Sequence, residues 1–167
     1  MPEVRPATVD DVPALIELLA AVAGEGRWLA AEPDFDREAR AALVTETVRA
    51  GASGGDPYAV FVVADDAGQL IGDLNIGLRS YGVAELGMMV ADGHRGQGIG
   101  SALLTAGIDW ARARGAHKVG LEMWPDNTAA RALYEKFGFV EEGMRRNHYR
   151  RRDGELRSAV IMGLLLE

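Results

Sequence analysis

The sequence predicts an α+β fold in three layers: a central mixed, mostly antiparallel sheet of about seven strands, flanked by about four helices. Two kinds of periodicity and one turn carry that reading. Short β-type stretches recur along the chain, while other stretches place apolar residues at helical spacing. An Asp-Asp-Ala-Gly turn joins two neighbouring strand candidates and returns the chain antiparallel. With no internal repeat, low-complexity tract or linker, residues 1–167 are expected to form one domain.

In chain order, a short strand at Glu3–Pro6 leads into a helix that starts between Thr8 and Asp11. Val12, Leu15, Leu19 and Val22 sit at helical spacing, and Pro13 fits the first turn, where its missing N–H costs nothing. "AGEGRWLAAEPD" is a loop, followed by a helix over roughly Phe35 to Ala50 that "GASGGDP" interrupts. "YAVFVVAD", "QLIGDLNIGLRS" and "VAELGMMVAD" are strands. A glycine-rich stretch, "HRGQGIGSALL", opens the next helix, where Ile99, Leu103, Ala106 and Trp110 form a one-sided apolar stripe ending at Arg114-Gly115. "HKVGLEMW" is a strand, "NTAARALYEKFG" a helix stopped by Gly138, and "FVEEGMRRNHY" and "LRSAVIMGLLL" close the chain as two strands.

Composition narrows the function. A formal charge of −7 argues against a nonspecific nucleic-acid partner, which would need Lys and Arg to neutralise phosphates. Without cysteine there is no disulfide, thiolate metal site or Cys nucleophile, and His94, His117 and His148 have no metal-ligand spacing, so no metal is expected. The polar, acidic opening "MPEVRPATVDD" lacks a signal-peptide apolar region and no run is long enough to span a membrane; a cytoplasmic protein without a membrane partner is expected.

The glycine stretch is the strongest local signal. A P-loop would need a lysine that is missing, and the dinucleotide fingerprint puts Ser101 or Leu103 where its last glycine belongs. What remains is a tight turn after a strand, with the amides of Gly96, Gln97, Gly98, Gly100 and Ser101 pointing into one concavity beside the positive charge of Arg95. Such a helix start attracts an anion.

The spacing Arg95-x-x-Gly98-x-Gly100 resembles the acetyl-CoA pyrophosphate motif of the Gcn5-related N-acetyltransferases (GNAT). "VAELGMMVADGHRGQGIGSALL" is similar to that family's central strand, turn and helix, and "LEMWPDNTAARALYEKFGF" to its next strand and helix. "RRNHYRRRDGELRSAVIMGLLL" resembles the ending of ribosomal-protein alanine N-acetyltransferases, so the likeness covers about Val60 to Glu167. It implies the GNAT fold and acetyl-CoA as donor cosubstrate. It further implies that Met88, Met89 and Val90 supply backbone groups to the pantetheine, that Arg95, Gly96, Gln97, Gly98, Ile99, Gly100 and Ser101 hold the diphosphate, and that Asn127, Ala130, Arg131 and Tyr134 line the site from one helical face. By the same resemblance a strand amide, that of Val90, polarises the thioester carbonyl.

Acyl transfer to an amine needs a base for the ammonium, a donor for the developing oxyanion and a proton for the leaving thiolate. The resemblance gives Glu122 the role of base and Tyr134 that of acid, with Glu85 the rival base on the central strand. By alternation Glu85, Gly87 and Met89 share one face of that strand, unless a family bulge breaks the count after Gly87. Trp28, Asp34, Asp36 and Tyr81 are candidates for an amine pocket, and "MRRNHYRRRDG" is a basic run suited to an acidic substrate, a nucleotide 3′-phosphate or solvent. The expected activity is direct acetyl transfer, without a covalent enzyme intermediate, to a primary amine of a small molecule or a peptide N-terminus, with a homodimer as the expected assembly. The alternative is a non-catalytic acyl-CoA-binding module.

Overall fold

The computed structural model describes residues 2–53 and 57–167. Seven strands form one sheet in the order β1-β2-β3-β4-β5-β7-β6: β1 Val4–Pro6, β2 Tyr58–Ala64, β3 Leu70–Leu78, β4 Val83–Val90, β5 Lys118–Met123, β6 Val140–Arg150 and β7 Leu156–Leu165. All neighbouring pairs are antiparallel except β4 with β5. The predicted Asp-Asp-Ala-Gly turn closes the β2–β3 hairpin, with Gly68 at φ +84° and its N–H donating to the Asp65 carbonyl.

The helices are α1 Val12–Gly24, α2 Arg37–Ala52, α3 Ile99–Ala113 and α4 Thr128–Lys136. The segment Val9–Asp11, expected to begin the first α-helix, is a separate 3₁₀ turn, and Pro13 sits in the first turn of α1 behind it. Helix α2 runs on through Gly51 to Ala52; the remainder of the predicted glycine break, 54–56, lies outside the described residues.

Two apolar layers sandwich the sheet. On one face α1 and Val48 of α2 pack Leu15, Ile16, Leu18 and Val22 against Val60, Val62 and Leu70. On the other, Leu103, Leu104, Ile108 and Ala111 of α3 cover Leu74, Ile76, Ala84 and Val119. The buried stripe of α3 is therefore rotated from the expected one: Ala106 and Trp110 are only half-buried, and Leu104, Ile108 and Ala111 take their place. Gly107 explains the close approach of α3 to the sheet. A Cβ there would lie 3.0 Å from Cδ2 of Leu74, a fully buried residue worth roughly 1.5–3 kcal/mol of apolar burial.

One irregularity opens the site. Parallel pairing of β4 with β5 lasts from Val83–Lys118 to Glu85–Gly120 and then stops. Beyond Glu85 the inner edge of β4 is left unpaired by β5, while its other edge stays in unbroken register with β3 as far as Gly72–Val90. The bulge expected after Gly87 is thus absent from the β3–β4 ladder, and the alternation of side chains continues to Val90.

Candidate active site

Antiparallel geometry determines what that edge of β4 offers. Residues directly opposite each other alternate between hydrogen-bonded and non-hydrogen-bonded pairs, and the Ala91 N–H to Ile71 carbonyl bond of 2.8 Å sets the phase. Odd-numbered β4 residues therefore spend their amides on β3, whereas Met88 and Val90, beyond the last β5 pair, turn theirs toward the split. A cavity of about 320 Å³ lies along this edge, between Met88, Met89 and Val90 and the face of α4 carrying Asn127, Ala130 and Tyr134.

At one end of that cavity is the glycine loop. Gly93, Gly96 and Gly98 have φ of +81°, +74° and +85°, conformations that L side chains avoid. Gly98 is the N-cap of α3, with no side chain occupying the helix start. The amides of the first turn consequently have no intrahelical acceptor. Gly96, Gly98, Gly100 and Ser101 line the cavity, and around the Cβ positions of Gly96 and Gly98 there is open space. The side chains of Gln97 and Ile99 are engaged elsewhere: Gln97 Nε2 donates to the Gly93 carbonyl at 3.2 Å, and the Ile99 side chain is buried against Gly72.

Arg95 is committed differently from the free cation expected beside an anion. Its guanidinium grips Glu25 in two bonds of 2.7 Å, and its Nε donates to the Val90 carbonyl at 2.9 Å. The bond from Arg95 holds the Glu25 carboxyl below its ordinary pKa against the cost of burial. Trp28 Nε1 adds a bond to the same carboxylate at 3.2 Å. This clasp fastens the end of α1 to the glycine loop and fixes the carbonyl of Val90.

On α4, Asn127 caps the helix by accepting from the Ala130 N–H at 3.1 Å, which leaves its side-chain NH₂ for the cavity. Tyr134 is buried with its ring against Phe139, and its hydroxyl bonds to no described residue. Burial pushes the phenol up to about 12, so it is a proton donor throughout the neutral range. Arg131 departs from the expected face. It reaches Glu141 at 3.0 Å and Glu135 at 3.8 Å, while Leu133, which packs against the core, also lines the cavity with Ala129.

Glu122 sits where the split widens, in a connecting cavity of about 190 Å³ that Tyr134, Asn127, Ala130 and Met88 also line. Its carboxylate accepts from the Tyr149 hydroxyl at 2.5 Å and from Arg145 Nε at 2.9 Å. Tyr149, which sequence reasoning missed, is re-aimed by an irregularity in β6. The register passes from Arg145–Ala159 to Tyr149–Arg157, with Asn147 at φ +47° donating its N–H to Ser158 Oγ at 2.9 Å. The ring of Tyr149 meets Trp124 edge-on at 5.3 Å, and its phenol is raised mainly by the bond to Glu122. Glu85 pairs with Arg79 at 2.8 Å and lines a further cavity, which Glu122 also borders but Tyr134 does not.

Of the proposed amine-pocket residues only Trp28 lines these cavities. Asp34 pairs with Arg152, Asp36 caps α2 through the Ala39 N–H at 2.9 Å, and Tyr81 is exposed. The basic run is largely structural. Arg151 is buried, bonding the carbonyl of Ala30 at 2.7 Å and Glu32 at 3.3 Å, so the β6–β7 hairpin is strapped to the loop before α2.

Comparison with known proteins agrees with this architecture. The sequence pattern of the acetyltransferase (GNAT) family matches residues 16–139. A ribosomal protein bS18-alanine N-acetyltransferase of Haemophilus ducreyi is 43% identical over 70 residues, 42% of this chain and 48% of that protein, so the match spans about half of that relative. An L-methionine sulfoximine/L-methionine sulfone acetyltransferase of Pseudomonas paraeruginosa is 30% identical over 145 residues, 84% of this chain and 81% of that one. A phosphinothricin acetyltransferase of Sinorhizobium meliloti, solved with acetyl-CoA, superimposes over 99% of this chain and 88% of its own with a TM-score of 0.83 at 20% identity, which is a likeness of fold.

Proposed function

The chain belongs to the acetyltransferase (GNAT) family, and from that premise we propose that it transfers an acetyl group from acetyl-CoA directly to a primary amine. The observation that carries the reading is the split between β4 and β5. It joins an open amide cradle at Gly96–Ser101 to a chamber holding both Glu122 and Tyr134.

The residues fit such a donor. Unpaired amides at the start of α3 suit a diphosphate, glycines leave room for it to approach the backbone, and the free edge of β4 accepts an amide-bearing arm as an added strand would. Glu122 takes the proton that the attacking amine must lose, held in position by Tyr149 and Arg145. The Val90 N–H stabilises the carbonyl oxygen as it takes on charge. The amine nitrogen bonds to the acyl carbon, the carbon–sulfur bond breaks, and Tyr134 gives its proton to the departing sulfur. Glu85 has no part in these steps. The acceptor is a small molecule or a peptide N-terminus; relatives of both kinds are matched.

The test is thiol release from acetyl-CoA across a panel of amines. The reading requires amine-stimulated release with acetylated product; acetyl-CoA binding that no amine converts to release would make the protein a binding module.

A further inference from the structure

On the α1/α2 face of the sheet a second cavity of about 360 Å³ lies between those helices and strands β2 to β4. Its walls are largely apolar, with Leu15, Ile16, Leu43, Val44 and Val60 prominent. Among them Asp73 on β3, opposite Met89, is only 7% exposed and makes no hydrogen bond or ion pair with any described residue; Arg40, Thr47 and Asn75 are the other polar residues of the lining. A buried carboxyl without a partner is costly, and a protein keeps one most readily where something arrives to pair with it. Arg40 of α2, the other charged residue of the lining, packs over the Phe35 ring at 5.7 Å and is not bonded to Asp73. The remaining groups around Asp73 do not titrate: α1 offers Leu15, Ile16 and Leu19, β2 Val60, β3 Asn75, and β4 Gly87, Met88 and Met89.

Leu29, Ala30, Gly87 and Met88 line both this cavity and the Glu122 chamber, so the two adjoin across those residues. A molecule with its reacting amine beside Glu122 extends past Met88 between apolar walls and ends at a carboxylate. We infer that this cavity selects the acceptor and that Asp73 reads a second ammonium group at the far end of an apolar chain, making amphipathic diamines the preferred class. This rests on the acetyltransferase reading above.

An ammonium at that position favours the ionised carboxylate. In the empty cavity burial pushes the Asp73 carboxyl up to about 7, so at pH 6 it is largely protonated and binding a diamine expels its proton.

The test compares linear diamines with monoamines of equal chain length, using wild type, Asp73→Asn and Asp73→Leu at saturating acetyl-CoA. It is paired with calorimetric titration of a diamine at pH 6 in buffers of different ionisation enthalpy. Wild type should favour the diamine by roughly tenfold or more in kcat/KM, the scale of one charge-assisted hydrogen bond, with the difference in KM. Asp73→Asn should abolish the preference, Asp73→Leu should reverse it, and proton release should vanish in both. Equal use of the two amine classes by wild type, or proton release that survives in Asp73→Asn, overturns the inference. So does a fall in kcat common to both classes, which would place Asp73 in the chemistry. If another amine is acetylated and diamines are neither used nor bound, the pocket assignment fails while the acetyltransferase reading stands; if no amine is acetylated, the calorimetry alone decides the pocket.

Discussion

Asp73→Asn removes a buried ionisable group while keeping its shape, and its effect on stability has a definite sign. The carboxyl titrates at about 7 in the folded chain against 3.8 for its ordinary value. The folded state therefore holds a proton that the unfolded chain gives up, and stability falls as pH rises through the window from about 4 to about 7. At 1.36 kcal/mol for each pH unit, the loss is on the order of 4 kcal/mol by pH 8. For a domain of this size that corresponds to a melting temperature lower by roughly 8–16 °C. Asparagine carries no such dependence, and every other carboxylate contributes equally to both proteins, so the difference between their melting curves isolates Asp73. Thermal unfolding without ligand, followed by circular dichroism from pH 4 to pH 9, should show the Asp73→Asn advantage growing between pH 4 and pH 7 and levelling above pH 8. Parallel curves for the two proteins would show that Asp73 titrates alike in the folded and unfolded chain.

Three further outcomes follow from the site. Tyr134→Phe should lower kcat roughly 10²-fold, with acetyl-CoA affinity and melting temperature nearly unchanged, since the hydroxyl bonds to no described residue; steady-state kinetics and calorimetry check both. Glu122→Gln should depress the rate most at low pH, where the amine needs its proton removed, and a pH–rate profile identical to wild type would assign that task elsewhere. Gly98→Ala forces a side chain into φ +85°, costing about 1–2 kcal/mol, and should weaken coenzyme A binding by about tenfold or more, read by calorimetry beside a melting curve.

Much of this was legible in the residues. Short β-type runs punctuated by turn residues located the strands, although burial does not alternate along β2 or β3, whose two faces are both covered by helices. The glycine loop was legible for a stronger reason: three of its residues occupy backbone conformations that other residues avoid. Arg131 lies off the expected face because spacing on a nine-residue helix gives only approximate faces, and the acids that draw it aside, Glu141 and Glu135, act through the fold. Tyr149 was hidden by the irregularity in β6, whose one local sign is an asparagine tolerant of positive φ. Asp73 stood in plain view in "LIGDLNIGL", a charge amid an apolar strand. Its meaning depends on a cavity that only the packing of α1 and α2 creates.

In the proposed reaction the divided sheet seats a diphosphate on the Gly96–Ser101 amides and brings the acyl carbon between Glu122 and Tyr134. A crystal structure with a non-hydrolysable acetyl-CoA analogue measures this directly. The diphosphate is expected on those amides, the acyl oxygen within hydrogen-bond distance of the Val90 N–H, and the Tyr134 hydroxyl beside the atom replacing sulfur. A diphosphate bound elsewhere, or an acyl group directed toward Glu85, would contradict that arrangement.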